Sequence, residues 1–126
     1  MILSVAGGAL IKEKEFLHEI LEELYSQRPI ELLIETGSDG LERNVRTWTE
    51  ARGVHTMTIR PLWGLVAAPF RRRNEVAMSF LPDVVLSAGD EPSAIDLMQR
   101  ALKQKIQVIR ITQKQGREPY VRLINP

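Results

Sequence analysis

The 126-residue chain has no cysteine. Disulfides, thiolate nucleophiles and cysteine-ligated zinc are therefore excluded. Histidine is nearly absent as well: His18 and His55 are the two that occur, too few and too far apart for a histidine-rich metal centre, so no metal site is expected. Aromatic residues make up 6%, which leaves the core to aliphatic side chains. No apolar run approaches the roughly 18–20 residues needed to cross a bilayer. The opening Met1-Ile2-Leu3-Ser4-Val5-Ala6 lacks the basic lead of a signal peptide. A cytoplasmic protein without a membrane partner is the expectation. Excess charge is missing too: 17 basic against 16 acidic residues leave a formal net charge of +1. That near-balance gives no global attraction to nucleic acid, and no nucleic-acid partner is expected. With no repeat, linker or low-complexity tract, the expectation is one domain over residues 1–126.

What is present is a recurrence. Three short apolar runs end in small-residue turns containing glycine, and each turn precedes a helix-like segment. The runs are Ile2–Val5 into Ala6-Gly7-Gly8, Leu32–Ile34 into Glu35-Thr36-Gly37-Ser38-Asp39-Gly40, and Val84–Leu86 into Ser87-Ala88-Gly89-Asp90. In an open parallel sheet such turns lie at the carboxyl ends of strands, where ligands bind. Their backbone N–H groups and the following helix N-termini suit anionic groups.

The periodicity predicts strands at Ile2–Ala6, Glu31–Glu35, Val54–Arg60, Asp83–Ser87 and Ile106–Thr112. Helices are predicted from Lys12 to Gln27, after the second turn to Arg52, from Pro69 or Phe70 to about Leu81, and from Pro92 or Ser93 onward. Leu17, Ile20, Leu21 and Leu24 make one apolar stripe at helical spacing, and Leu41, Val45 and Trp48 another. In the last helix Ile95, Met98 and Leu102 are expected to face inward, while Gly53 closes the second helix as a cap. Residues 113–126 form a C-terminal extension, in which Tyr120 to Ile124 can return as an antiparallel edge strand. Alternating strands and helices imply an α/β fold. Its doubly wound, mainly parallel sheet would have about five strands, with helices on both faces.

Four groups of residues are candidates for chemistry. Two glycines three apart, Gly37 and Gly40, permit close backbone approach, and Thr36, Ser38 and Asp39 add hydroxyl and carboxylate groups; the plain alternative is a helix N-cap turn. The run Arg71-Arg72-Arg73-Asn74 places three cations at a helix start, which the helix dipole disfavours by about 0.3–1 kcal/mol each. An anionic ligand would reverse that disadvantage; otherwise the run is a solvated face, pairing with Glu75 or Asp90. Asp90 and Glu91 can act as acid and base or hold a metal, or serve as dipole partners of the helix that Pro92 opens. Trp63 can stack on a base or cover the core edge. His18 reads as a surface residue and Trp48 as core.

In order and spacing these pieces resemble the SLOG superfamily, in the branch of small YspA-like proteins related to cpYpsA found in bacteria and phages. The matching segments are Ala6-Gly7-Gly8-Ala9, Glu35-Thr36-Gly37-Ser38-Asp39-Gly40-Leu41-Glu42, Trp48–Val54, Trp63, Arg73-Asn74 and Ala88-Gly89-Asp90, within roughly residues 2–112. The resemblance implies a Rossmann-like domain that binds a nucleotide or nucleotide-derived phosphate ligand, as a sensor. Gly7, Gly8, Thr36, Gly37, Ser38, Gly40, Trp63, Arg71, Arg73, Asn74 and Gly89 would serve as its ligand-binding set. Relatives include phosphoribohydrolases, which cleave a nucleoside monophosphate at its N-glycosidic bond. An enzyme of that kind would place Glu35, Asp39 or Glu91 in catalysis. A third reading is an interaction protein with a vestigial pocket, as a homo-oligomer or dimer. Glu35 and Thr36 stand where the branch has His and Gly, and Asp90-Glu91-Pro92 replaces a glycine-rich turn. These acids imply a different ligand, a balancing divalent cation, or a lost ligand. No cofactor is specified.

Overall fold

The computed structural model describes residues 1–8, 11, 13–37, 40–61, 69–114 and 116–125. Among the described residues strands and helices alternate until β6 follows β5 directly: β1 (Ile2–Gly7), α1 (Lys14–Gln27), β2 (Leu32–Glu35), α2 (Leu41–Arg52), β3 (His55–Thr58), α3 (Pro69–Met78), β4 (Val84–Ala88), α4 (Pro92–Lys103), β5 (Gln107–Thr112) and β6 (Tyr120–Ile124). The strand order is β3-β2-β1-β4-β5-β6. All pairings are parallel except β5 with β6, which run antiparallel from Val108↔Ile124 to Thr112↔Tyr120. The chain thus winds outward from β1 to β3, crosses back, and winds outward again from β4. That reversal makes the crevice between the carboxyl ends of β1 and β4 a topological switch point.

Strand alternation builds the two layers. Leu3, Val5, Leu33, Val84, Leu86, Ile109 and Ile111 pack with Leu17 and Leu21 of α1 and Leu41, Val45 and Trp48 of α2. On the opposite face Ala6, Val85 and Val108 meet Met78 of α3 and Leu97 and Ala101 of α4. The near-continuous apolar runs of β1 and β4 are what a sheet covered on both faces requires. Trp48 is core as expected, and its indole N–H donates to Glu22 at 2.9 Å. Gly53 caps α2 in the left-handed region, with φ of 75°.

Several expectations need correction. In α4 the fully buried stripe is Ala94, Leu97 and Ala101; Met98 and Leu102 face the core as expected but are only partly buried, and Ile95 is half-buried. Ala94 is small because α4 approaches the end of β1 closely there: a Cβ on Gly7 would lie 2.6 Å from the Ala94 Cβ. α3 stops at Met78, short of Leu81, whose φ of 54° is incompatible with helix continuation. β3 shrinks to four residues because it is the sheet edge, with His55, Thr56 and Thr58 exposed. His18 is half-buried, its Nε2 3.2 Å from the Asn44 carbonyl oxygen. The expected helix start at Lys12 lies outside the described residues. Among the described residues no helix is long and apolar enough to cross a membrane.

Candidate functional site

The pairing of Gly7 with Ala88 sets the first and third glycine turns side by side at the switch point. The second turn follows β2, which flanks β1 on its other side. Close packing fixes these turns. Gly8 has φ of +79°, and a Cβ there would fall 2.5 Å from the Leu41 Cβ. Its carbonyl accepts from the Ile11 and Leu41 amides at 3.0 and 2.9 Å, tying the turn to the start of α2. The Gly89 amide donates to the Ile111 carbonyl at 3.0 Å.

The first and second turns present N–H groups that are met by the chain's own carboxylates. Glu35 accepts from the Gly37 amide at 2.5 Å, and Glu42 from the Thr36 amide at 3.0 Å. Glu91 accepts from the Gly8 amide at 3.3 Å, across 83 positions of sequence. Glu35 and Glu42 are fully buried, whereas Glu91 is half-exposed. Glu35 also accepts from Thr58 Oγ1 and pairs with Arg46 at 2.8 Å, and Glu42 accepts from Thr36 Oγ1. Such a supply of donors stabilises a buried carboxylate as the anion. Glu35 is thereby matched by its donors.

The arginine run diverges. Arg71 is exposed with its guanidinium 5.8 Å from the centre of the Phe70 ring, and Arg72 pairs with Glu75. Arg73 alone turns inward and is 3% exposed. Its Nε donates to the Ile59 carbonyl at 3.0 Å, one Nη to Asn74 Oδ1 at 3.0 Å, and the other reaches the Val5 carbonyl at 3.5 Å. Asn74 Nδ2 in turn donates to the Ser93 carbonyl and Asp96. Arg73 thus joins α3 to the ends of β1 and β3, and Asn74 joins it to α4. Desolvation lowers the Arg73 pKa to about 10, opposed by the fields of Glu42 and Glu35. It remains a cation at neutral pH, buried at the sheet edge and outside the ion pairs formed among the described residues.

Asp90 is 97% exposed and pairs with Arg110 at 3.1 Å, not with the arginine run. Arg110 is buried and also donates to Ser87 Oγ at 3.1 Å, which anchors the third turn to β5. Beside that turn lies a cavity of about 440 Å³, walled by Ile11, Asp90, Glu91, Thr112, Lys114 and Tyr120 among others. Ser38, Asp39 and Trp63 lie outside the described residues. Among the described residues no cluster of His, Asp and Glu suits a metal ion.

Sequence reasoning missed Arg46, Thr58, Arg110 and the cavity residues of β5 and β6. Arg110 carried a signal: it is a lone charge in the otherwise buried run Val108–Ile111. Arg46 carried a weaker one, lying one helical turn after Glu42 on α2. The cavity residues carried none, since strand order alone brings Tyr120 of β6 to the cavity that Asp90 and Glu91 also line.

Strand order, crossovers and glycine turns at the switch point define a Rossmann-like α/β protein. The chain belongs to the YspA, cpYpsA-related SLOG family, whose sequence model matches residues 1–65. Among solved structures it is similar to TM1055, a structural genomics target, with a TM-score of 0.61 and 20% identity over 85% of this chain and 71% of that one. It is also similar to the Moco carrier protein from Chlamydomonas reinhardtii, with a TM-score of 0.62 and 18% identity over 89% and 76%. UDP-N-acetylglucosamine 2-epimerase gives a TM-score of 0.53 and 17% identity, over 93% of this chain and 35% of the other. These likenesses show the fold. No curated protein matches significantly.

Proposed function

We propose that this protein binds a nucleotide or nucleotide-derived phosphate ligand at the carboxyl edge of its sheet, over the switch point between β1 and β4. The observation that carries this reading is the Gly8 amide, which stands at that crevice and already holds an anionic group, the Glu91 carboxylate at 3.3 Å. Of the three turn N–H groups held by carboxylates, it has the longest bond and the half-exposed partner. A phosphate oxygen can replace that carboxylate with no change in the chemistry of the contact. The buried cation of Arg73 adds positive potential at the same edge, and exposed Arg71 adds an outer one.

Calorimetry with nucleoside monophosphates, NAD, ADP-ribose and inorganic phosphate tests the proposal. Binding should weaken at least tenfold in Arg73→Gln, fall less in Arg71→Ala, and decline with salt. Failure of the whole panel to bind, or binding indifferent to both substitutions, would sink it.

One observation favours a second reading, a vestigial pocket on an interaction protein. In both the first and the second glycine turn, N–H groups are capped by the chain's own acids. In that case Glu91→Gln would leave phosphate binding absent. N-glycosidic hydrolysis has less support, because Glu35 is committed to Gly37, Arg46 and Thr58.

A further inference from the structure

The two edge strands of the sheet differ in what they expose. β3 shows solvent the polar His55, Thr56 and Thr58, which blunt an edge against further pairing. β6 shows Val121 and Leu123, 39% and 60% exposed. Leu123 stands opposite Ile109 and Val121 opposite Ile111, so the four side chains share one face of the sheet. Ile109 and Ile111 are buried in the core with residues of α1 and α2, a helical layer that stops short of β6. The same two residues carry the free backbone edge. The Ile111 carbonyl accepts from the Gly89 amide at 3.0 Å, so the backbone polar groups of Ile111 point toward β4. In an antiparallel ladder its partner Val121 then turns its own N–H and C=O outward, and Leu123 does the same. Among the described residues no further strand pairs with that edge.

Charge decides what kind of strand it suits. Between Lys103 and Pro126 six basic residues stand against one acid, Glu118. Arg122 is exposed on the face of β6 opposite to Val121 and Leu123, and neither it nor Lys114 nor Arg117 forms an ion pair among the described residues. A second copy of this chain fits poorly. Pairing β6 with itself, Val121 opposite Leu123, sets Arg122 directly against Arg122. A segment in which apolar residues alternate with acidic ones fits both faces, its apolar side chains beside Val121 and Leu123 and its carboxylates beside Arg122. We infer that the outer edge of β6 is a docking site for an extended acidic and apolar segment of a partner protein, added to the sheet as a further strand. This edge is separate from the phosphate position, because β4 and β5 lie between β6 and β1. Its assignment does not depend on the phosphate reading.

The test uses the full chain, fluorescence anisotropy and three labelled probes: a peptide alternating valine with glutamate, the same peptide with lysine for glutamate, and a single-stranded oligodeoxynucleotide. The glutamate peptide should bind about tenfold more tightly than the lysine peptide, and Arg122→Glu should reverse that order. Val121→Pro removes an N–H that β5 does not use, and should weaken the glutamate peptide about tenfold. Leu123→Asp, which sets a carboxylate against the peptide's apolar face, should do the same and serves if the proline variant misfolds. With peptide bound, hydrogen exchange should slow at the Val121 and Leu123 amides and stay unchanged at Arg122, whose amide faces β5. Equal binding of the two peptides, or binding indifferent to the substitutions at Val121 and Leu123, would overturn the proposal. Tighter binding of the oligonucleotide, lost in Arg122→Glu, would make this edge a polyanion surface instead. A dimer in sedimentation that Val121→Pro dissolves would give the edge to a second copy and overturn it as well.

Discussion

Replacing Gly7 by alanine should unfold this protein far more readily than the same change at Gly53, although both glycines have positive φ. At Gly53 φ is 75° and a Cβ would meet nothing within 4 Å. The penalty there is the left-handed backbone alone, about 1 kcal/mol. At Gly7, with φ of 91°, the Cβ would fall on the Ala88 carbonyl oxygen and 2.6 Å from the Ala94 Cβ. Both neighbours are fixed, one in β4 and one in the first turn of α4, so backbone must move. Overpacking of that kind costs about 1–3 kcal/mol more, for a total of ~3 kcal/mol. At roughly 2.1 cal/mol/K per residue, a chain of this length has an unfolding entropy near ~0.26 kcal/mol/K. Gly7→Ala should therefore lower Tm by ~12 °C and Gly53→Ala by ~4 °C. Urea titration of both variants should shift the midpoint without changing the slope. If the two Tm values fall within ~2 °C of each other, the close approach of α4 to β1 does not exist as described. The placement of Glu91, which caps the start of α4, against Gly8 would then lose its support.

Further outcomes can be checked in the same assays. Glu35→Gln should destabilise by about 3 kcal/mol, since it weakens a buried carboxylate held by three donors. A double-mutant cycle with Arg46→Met should recover part of that loss, and strict additivity would show that the pair does not interact. Arg110→Met should change stability by less than ~1 kcal/mol, because its ion partner Asp90 is 97% exposed and is left in water, not buried and unpaired. It should nevertheless speed hydrogen exchange at the Gly89 and Glu91 amides, and unchanged exchange would mean that Arg110 does not anchor the turn. Arg73 supplies a pH signature. Burial lowers its pKa to about 10, so above that pH the folded state holds fewer protons than the unfolded state. Wild type should gain stability relative to Arg73→Met as pH rises from 9 to 11. A flat difference across that range would contradict the lowered value.

The match between sequence and structure is best at the level of elements and worst at their meeting points. The stripe Leu17, Leu21 and the stripe Leu41, Val45, Trp48 are buried as their spacing predicts, because helical periodicity is local. In α4 the same reasoning chose the larger residues Ile95, Met98 and Leu102. The structure puts Ala94, Leu97 and Ala101 at the centre, with Met98 and Leu102 partly buried beside them, and the contact with Gly7 leaves room only for a small side chain at Ala94. The arginine run was legible as an anomaly at a helix start. That it splits into an exposed Arg71, a paired Arg72 and a buried Arg73 depends on which helix face meets the sheet.

By itself the sequence determined the alternation of strands and helices, the glycine turns at the strand ends and hence the edge of the sheet at which a site would be built. These follow from periodicity of 2 and 3.6 residues and from backbone freedom at glycine, properties of a few neighbouring positions. Only the tertiary structure decided which turns share a crevice and which acids meet which amides. Glu91 reaches Gly8 across 83 positions, and Gln113 reaches Glu13 across 100. Contacts of that range are set by strand order, β1 beside β4, and no local pattern carries that order. The glycines mark where an anion can sit, and the fold puts the chain's own carboxylate on one of those amides.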